Sequence, residues 1–208
     1  MTRWFRWFGQ PGTFVLTVLL SCMALGLALG FRTPERFLCL GGMLASTMGD
    51  LINTNWRGIG RKLPFPALYG GAACFAVAHG FYIAAFVWLI RRSGAAFVNP
   101  GFWAAAAVVL ASAVIISALC LRRGGVSRLT YGICLAYLFF VGGMLAAAFS
   151  FAWTAQGLHL LAAAGALSFF VSDMLIGLNV LCGFDNDFVI GGVWWFYPIG
   201  QLLLLVFV

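Results

Sequence analysis

Apolar residues run along this chain in seven stretches of about 20 residues or more, the length that carries a helix across the hydrocarbon core of a bilayer. They cover about Thr13 to Phe31, Phe37 to Asn55, Phe65 to Ile90, Phe102 to Leu121, Leu129 to Ser150, Gly157 to Leu181 and Phe188 to Val208. Polar and turn-forming residues break them: Arg32-Thr-Pro34-Glu, Arg57 to Pro66, Arg91-Arg92 with Asn99-Pro100, Arg122-Arg123-Gly-Gly, and Gly183-Phe-Asp-Asn-Asp187. The pattern predicts an all-α, polytopic transmembrane helical bundle of about seven helices. Nothing in it leaves room for a separate soluble domain, so residues 1–208 are expected to form a single integral membrane domain.

Against this background two aspartates stand out. Asp50 ends the run Gly42-Met-Leu-Ala-Ser-Thr-Met-Gly-Asp50, and Asp173 ends the similar run Gly165-Ala-Leu-Ser-Phe-Phe-Val-Ser-Asp173. An aspartate at the centre of a membrane helix costs about 3 kcal/mol on insertion scales, so such residues mark a polar cavity or an active site. The helix after each carries a polar pair, His79 with Tyr82 and Tyr197 with Gln201. A parallel internal repeat is one reading of this correspondence, and chance likeness between low-complexity apolar runs is the other.

The polar residues share helix faces. Ser46, Asp50 and Asn53 follow i, i+4, i+7, and Ser168, Ser172 and Asn179 form a second stripe. For the serines the expected role is interhelical hydrogen bonding. For Asp50, Asp173 and His79 a functional role is expected, since a structural contact seldom needs an ionisable group at that depth.

Composition agrees with the pattern: 63% of residues are hydrophobic and 8% charged, with a mean hydropathy of +1.04. The net charge of +7 resides in short loops and speaks to topology and lipid headgroups, not to nucleic acid. Alternating the loops puts Arg3, Arg6, Arg57, Arg61, Lys62, Arg122, Arg123 and Arg128 on one side and Arg32, Arg36, Arg91 and Arg92 on the other. The richer side is expected to be cytoplasmic, giving an inside N-terminus and an outside C-terminus, in a multi-pass protein of the bacterial inner (plasma) membrane. A signal peptide is the alternative for the first run, disfavoured because the run is longer than a usual signal core.

The six cysteines, with no C-x-x-C pair, read as packing residues. Gly26-x-x-x-Gly30 is expected to pack within the chain. Trp4, Trp7, Trp56, Trp103 and Phe188 read as interface aromatics, and Trp194 and Trp195 as either cavity or lipid-facing residues.

Taken in order, Gly49-Asp50, Ala78-His79-x-x-Tyr82, Tyr131 followed by Met144 and Ala146, Ser172-Asp173-x5-Asn179, and Tyr197-x-x-x-Gln201 resemble the signature segments of the YhhN-like lysoplasmalogenase family of polytopic membrane proteins. The resemblance extends from about Gln10 to the end and is strongest from Gly165 to Asn179. The resemblance implies eight helices in a typical member, of which the first is expected to be missing here, with Gln10-Pro11 standing where a Lys-Pro usually opens the second. Gly200 replaces an alanine before the glutamine.

The resemblance implies hydrolysis of the vinyl ether of a lysoplasmalogen to a fatty aldehyde and a glycerophospho-alcohol (glycerophosphoethanolamine or glycerophosphocholine), with a lysophospholipid substrate and no cofactor. That chemistry suits paired carboxyls. A proton goes to the β-carbon of the vinyl ether, an oxocarbenium ion forms, and water attacks the α-carbon. One carboxylic acid supplies the proton while an ionised partner stabilises the cation and orients the water. Asp50, Asp173 and His79 are the expected catalytic residues, with either aspartate as the acid. Asn53, Tyr82, Asn179, Tyr197 and Gln201 are expected to position water or the glycerol backbone. Asp50, His79, Asp173, Tyr197 and Gln201 should converge on one cavity in the cytoplasmic half, its wall completed by apolar side chains. Two rivals stand beside this reading: a metal hydrolase built on Asp50, Asp173 and His79, which is not the expected chemistry with so few imidazoles, and a small proton-coupled transporter using the same acidic cavity.

Overall fold

The computed structural model of the protein describes residues 10–184 and 186–208. Arg3, Trp4, Arg6 and Trp7, which entered the charge and interface readings, lie outside the described residues. Among the described residues there are seven α-helices and no strands: α1 (Gln10–Phe31), α2 (Pro34–Asn53), α3 (Ala67–Arg92), α4 (Pro100–Arg123), α5 (Arg128–Ala155), α6 (Leu160–Cys182) and α7 (Asp187–Phe207).

The helices begin and end where the chemistry of their termini requires. Asn99 accepts from the backbone N–H of Phe102 and is followed by Pro100, whose missing N–H costs nothing in a first turn. Ser127 and Asn186 cap α5 and α7 in the same way, through the N–H groups of Thr130 and Val189. Gly183, at φ +62°, ends α6 in the left-handed conformation that a glycine adopts without strain.

The expected bundle of about seven helices is present among the described residues, with the helices unequal in apolarity. Five helices, α1, α3, α4, α5 and α6, are long and apolar enough to cross a membrane on their own, and the protein is an integral multi-pass membrane protein. Two fall short, for identifiable reasons. α2 carries Glu35, Arg36 and Asp50 along its length, and the apolar part of α7 is confined to Gly191–Phe207. Both are partnered helices: α2 packs most extensively on α3, and α6 on α7. A polar helix is tolerated in a bilayer when its polar face turns into the bundle.

The packing order repeats. α1 packs on α2 and α2 on α3, then α5 on α6 and α6 on α7, with α4 joining the halves and lying against α5 and α6. Contacts between halves also correspond, α3 with α5 and α7 with α1. The matched glycines Gly42 and Gly165 both lie where the partner helix comes closest. A Cβ on Gly42 would stand 2.9 Å from the Tyr82 ring, and one on Gly165 would stand 2.7 Å from Leu203 and 3.0 Å from the backbone nitrogen of Leu204. These observations favour the parallel repeat over chance likeness. Gly26 and Gly30, by contrast, have nothing within 4 Å, which corrects the expectation that they pack within the chain; they lie on the outer face of α1.

A hydrophobic core runs through the bundle, with Met43, Tyr82, Phe86, Met144, Leu145, Phe169, Phe170 and Leu204 among its fully enclosed members. All six cysteines are free, with Cys39, Cys120 and Cys182 buried. At the far end Arg36 holds the last turn of α7 by donating to the carbonyls of Leu205 and Val206. Trp195 is 69% exposed and faces outward.

Candidate functional site

Asp50 lies on the face of α2 that meets α7. The hydroxyl of Tyr197 donates to its Oδ2 at 2.6 Å. One turn further along α7, the Gln201 amide donates to the Tyr197 oxygen at 3.4 Å, and the Gln201 carbonyl oxygen accepts from the Tyr82 hydroxyl at 2.6 Å. Tyr82 and Gln201 are fully enclosed. The spacings i, i+4 on α7 and i, i+3 on α3 thus produce one continuous row, Tyr82 to Gln201 to Tyr197 to Asp50, in which every donor points toward the carboxylate.

Asp173, in α6, has a second and separate set of partners. The Tyr137 hydroxyl donates to its Oδ2 at 2.7 Å, and His79 Nε2 stands 2.9 Å from the Tyr137 oxygen and 3.5 Å from the same carboxyl oxygen. The other ring nitrogen of His79 faces the Met144 sulfur at 3.3 Å. His79 is completely buried and Asp173 is 8% exposed.

Tyr137 was not singled out by the sequence, because one tyrosine in an apolar run looks like packing. Its signal is the i, i+7 spacing to Met144, which puts both on one face of α5 toward the histidine. Tyr131, which carries part of the family resemblance, is instead bonded to Ser117 of α4 at 2.8 Å.

Aromatic rings stand in contact with both networks. Phe169 packs on His79 at 4.9 Å and on Tyr197 at 5.3 Å, and Phe75 packs on Phe169 at 6.2 Å and on Tyr197 at 6.0 Å. The networks do not join through any hydrogen bond among the described residues.

A largely apolar cavity, open on one side, adjoins the second network. Asp173, Tyr137 and Asn53 are its polar lining residues, and Leu68, Ile116, Ile133, Leu138, Ile176 and Val180 are among its apolar ones. Asn53, Leu68, Ile133 and Leu181 belong to helix ends on one side of the bundle, the side of the Arg61, Lys62, Arg122 and Arg123 loops. Of the residues expected to converge, Asp173 lines this cavity, while Asp50, His79, Tyr197 and Gln201, like Tyr82, are not among its lining residues.

The two asparagines differ. Asn53 reaches the cavity and lies against Gly71, where a Cβ would overlap its amide. Asn179 spends its amide on the Phe184 carbonyl at 3.1 Å, just beyond the C-terminus of its own helix. Ser168 and Ser172 bond across to the carbonyls of Phe196 and Val193, in the stretch of α7 that Pro198 loosens by lacking an N–H. Ser46 is fully buried, and its hydroxyl has no partner among the described residues. No three His, Cys, Asp or Glu side chains among the described residues stand close enough together to hold a metal ion. His159 lies at the opposite end, against Phe151 and the Phe207 carbonyl.

This arrangement offers two carboxyls, each on a tyrosine hydroxyl, one of them lining a largely apolar cavity. No curated protein and no solved structure matches the chain. The model of the YhhN family matches residues 6–207, essentially the whole chain, and the protein belongs to the YhhN family.

Proposed function

We propose that the protein is an intramembrane hydrolase that cleaves the vinyl ether of a lysoplasmalogen to a fatty aldehyde and a glycerophospho-alcohol. The observation that carries the reading is the Asp173 carboxyl lining an apolar cavity, with Asp50 in the adjoining network, each carboxyl accepting from a tyrosine, in a member of this family. A lipid with a single hydrocarbon chain suits a cavity whose walls are largely apolar. Its phosphate headgroup would lie toward the basic loops at the open side, which we assign to the cytoplasm of a bacterial inner membrane.

The chemistry requires one carboxyl to protonate the β-carbon and another to orient the attacking water. Asp50 and Asp173 take these parts, with His79 serving Asp173. Purified protein in detergent should release long-chain aldehyde from lysoplasmalogen. Asp50→Asn and Asp173→Asn should each stay folded and lose about 10²-fold or more in rate, the usual scale for a general acid or base. The double variant should be scarcely slower than either single one, because groups acting as a unit are not additive. Full turnover in both single variants, with folding verified, would remove the paired-carboxyl mechanism. Solute movement by the wild type without bond cleavage would support a carrier instead.

A further inference from the structure

The hydrogen bonds of the two aspartates differ in kind. Asp50 ends a row in which three donors, Tyr82, Gln201 and Tyr197, all point one way, and no group in the row carries a proton that it can give up and regain near neutrality. Asp173 ends a row that begins at an imidazole. The thioether of Met144 accepts a hydrogen bond but has none to give, so the His79 nitrogen facing it is the one that holds a hydrogen. The exchangeable position is therefore Nε2, which faces the Tyr137 oxygen at 2.9 Å.

Two proton arrangements fit the same heavy atoms. In one, imidazolium Nε2–H donates to Tyr137 and Tyr137 donates to the Asp173 carboxylate. In the other, protonated Asp173 donates to Tyr137 and Tyr137 donates to neutral Nε2. A concerted shift of two hydrogens through the tyrosine oxygen interconverts them.

We infer that the two aspartates are not interchangeable: Asp173 is the acid, supplied with its proton by His79 through the Tyr137 hydroxyl, and Asp50 is the carboxylate that takes the proton of water. This rests on the hydrolase reading above. The steps balance. The Nε2 proton passes to Tyr137 as the Tyr137 proton passes to Asp173, and Asp173 then protonates the β-carbon of the vinyl ether, leaving an oxocarbenium ion. Water bonds to the α-carbon and gives its proton to Asp50. Asp50 returns that proton to the ether oxygen as the bond from the α-carbon to that oxygen breaks. The hemiacetal hydroxyl proton goes to Asp173 and back through Tyr137 to His79, and the aldehyde carbonyl forms. Asp173 and Tyr137 line the cavity where the alkyl chain would enter, and Asp50 does not, which puts the acid on the side of the incoming vinyl ether.

The test uses whole protein labelled with nitrogen-15 in histidine and purified without substrate. His159→Gln removes the only other imidazole. Asp173→Asn and Tyr137→Phe should each shift the His79 resonances, and Asp50→Asn should leave them in place. In turnover, Tyr137→Phe should lower kcat by about 10²-fold, with KM for lysoplasmalogen within about threefold of wild type. Resonances that ignore Asp173→Asn, or that move equally with Asp50→Asn, overturn the relay. So does a Tyr137→Phe enzyme that cleaves at the wild-type rate, a result that would leave the hydrolase reading intact. Absence of aldehyde from the wild type overturns the hydrolase reading itself, and the division of labour with it.

Discussion

Buried side chains in this protein are paired so tightly that a single change should be felt by its neighbour more than by itself. Replacing Gln201 with leucine would leave the Tyr82 hydroxyl buried without an acceptor, at a cost of about 1–3 kcal/mol. Adding Tyr82→Phe to that variant should recover thermal stability in detergent, because the double change removes both partners together. A double variant no more stable than Gln201→Leu alone would mean that the hydrogen bond is not what holds this layer. The ionisable members of the site were legible in the sequence, since a carboxyl or imidazole in an apolar run has few ordinary explanations. Tyr137 was not, because its place in the network comes from meeting His79 and Asp173 on two other helices. The amide of Asn179 donates to the Phe184 carbonyl, a local contact that its place in a polar stripe did not foretell.

Helices here are positioned by glycines more than by interlocking large residues, as expected where lipid is as apolar as leucine. At Gly200 a Cβ would lie 2.7 Å from the Phe169 backbone nitrogen and 2.9 Å from the Gly165 carbonyl, both atoms of main chain that cannot swing aside. Gly200→Ala should therefore push α7 from α6, costing about 1–3 kcal/mol of stability and drawing Tyr197 off Asp50. Gly26→Ala, with nothing within 4 Å, should leave the melting temperature of the detergent-solubilised protein unchanged or slightly raised. Equal losses from both would show that α6 and α7 are not held at this separation. Helix ends were readable from Asn99-Pro100, Ser127, Asn186 and Gly183, which act locally. The unequal apolarity of α2 and α7 was harder to see, because a span that relies on neighbours to cover its polar face looks, residue by residue, like one that does not.

Across the whole bundle, each half supplies what the other lacks. Asp50 of the first half is held by Tyr197 of the second, and Asp173 of the second is served by His79 of the first, so neither three-helix unit contains a finished site. The matched runs before the aspartates made the repeat visible in sequence, but its crossed pairing depends on which helices become neighbours and is written in no single segment. Orientation can be checked directly. In a variant lacking the native cysteines, a membrane-impermeant maleimide added outside intact cells should label Arg92→Cys and spare Arg61→Cys; the reverse pattern would invert the assigned topology. The rings of Phe75 and Phe169 give this architecture one more property. Phe169 touches both His79 and Tyr197, and Phe75 touches Phe169 and Tyr197, so the two rows meet through ring faces and edges. A change of size at Phe169 is therefore one that both rows would register at once.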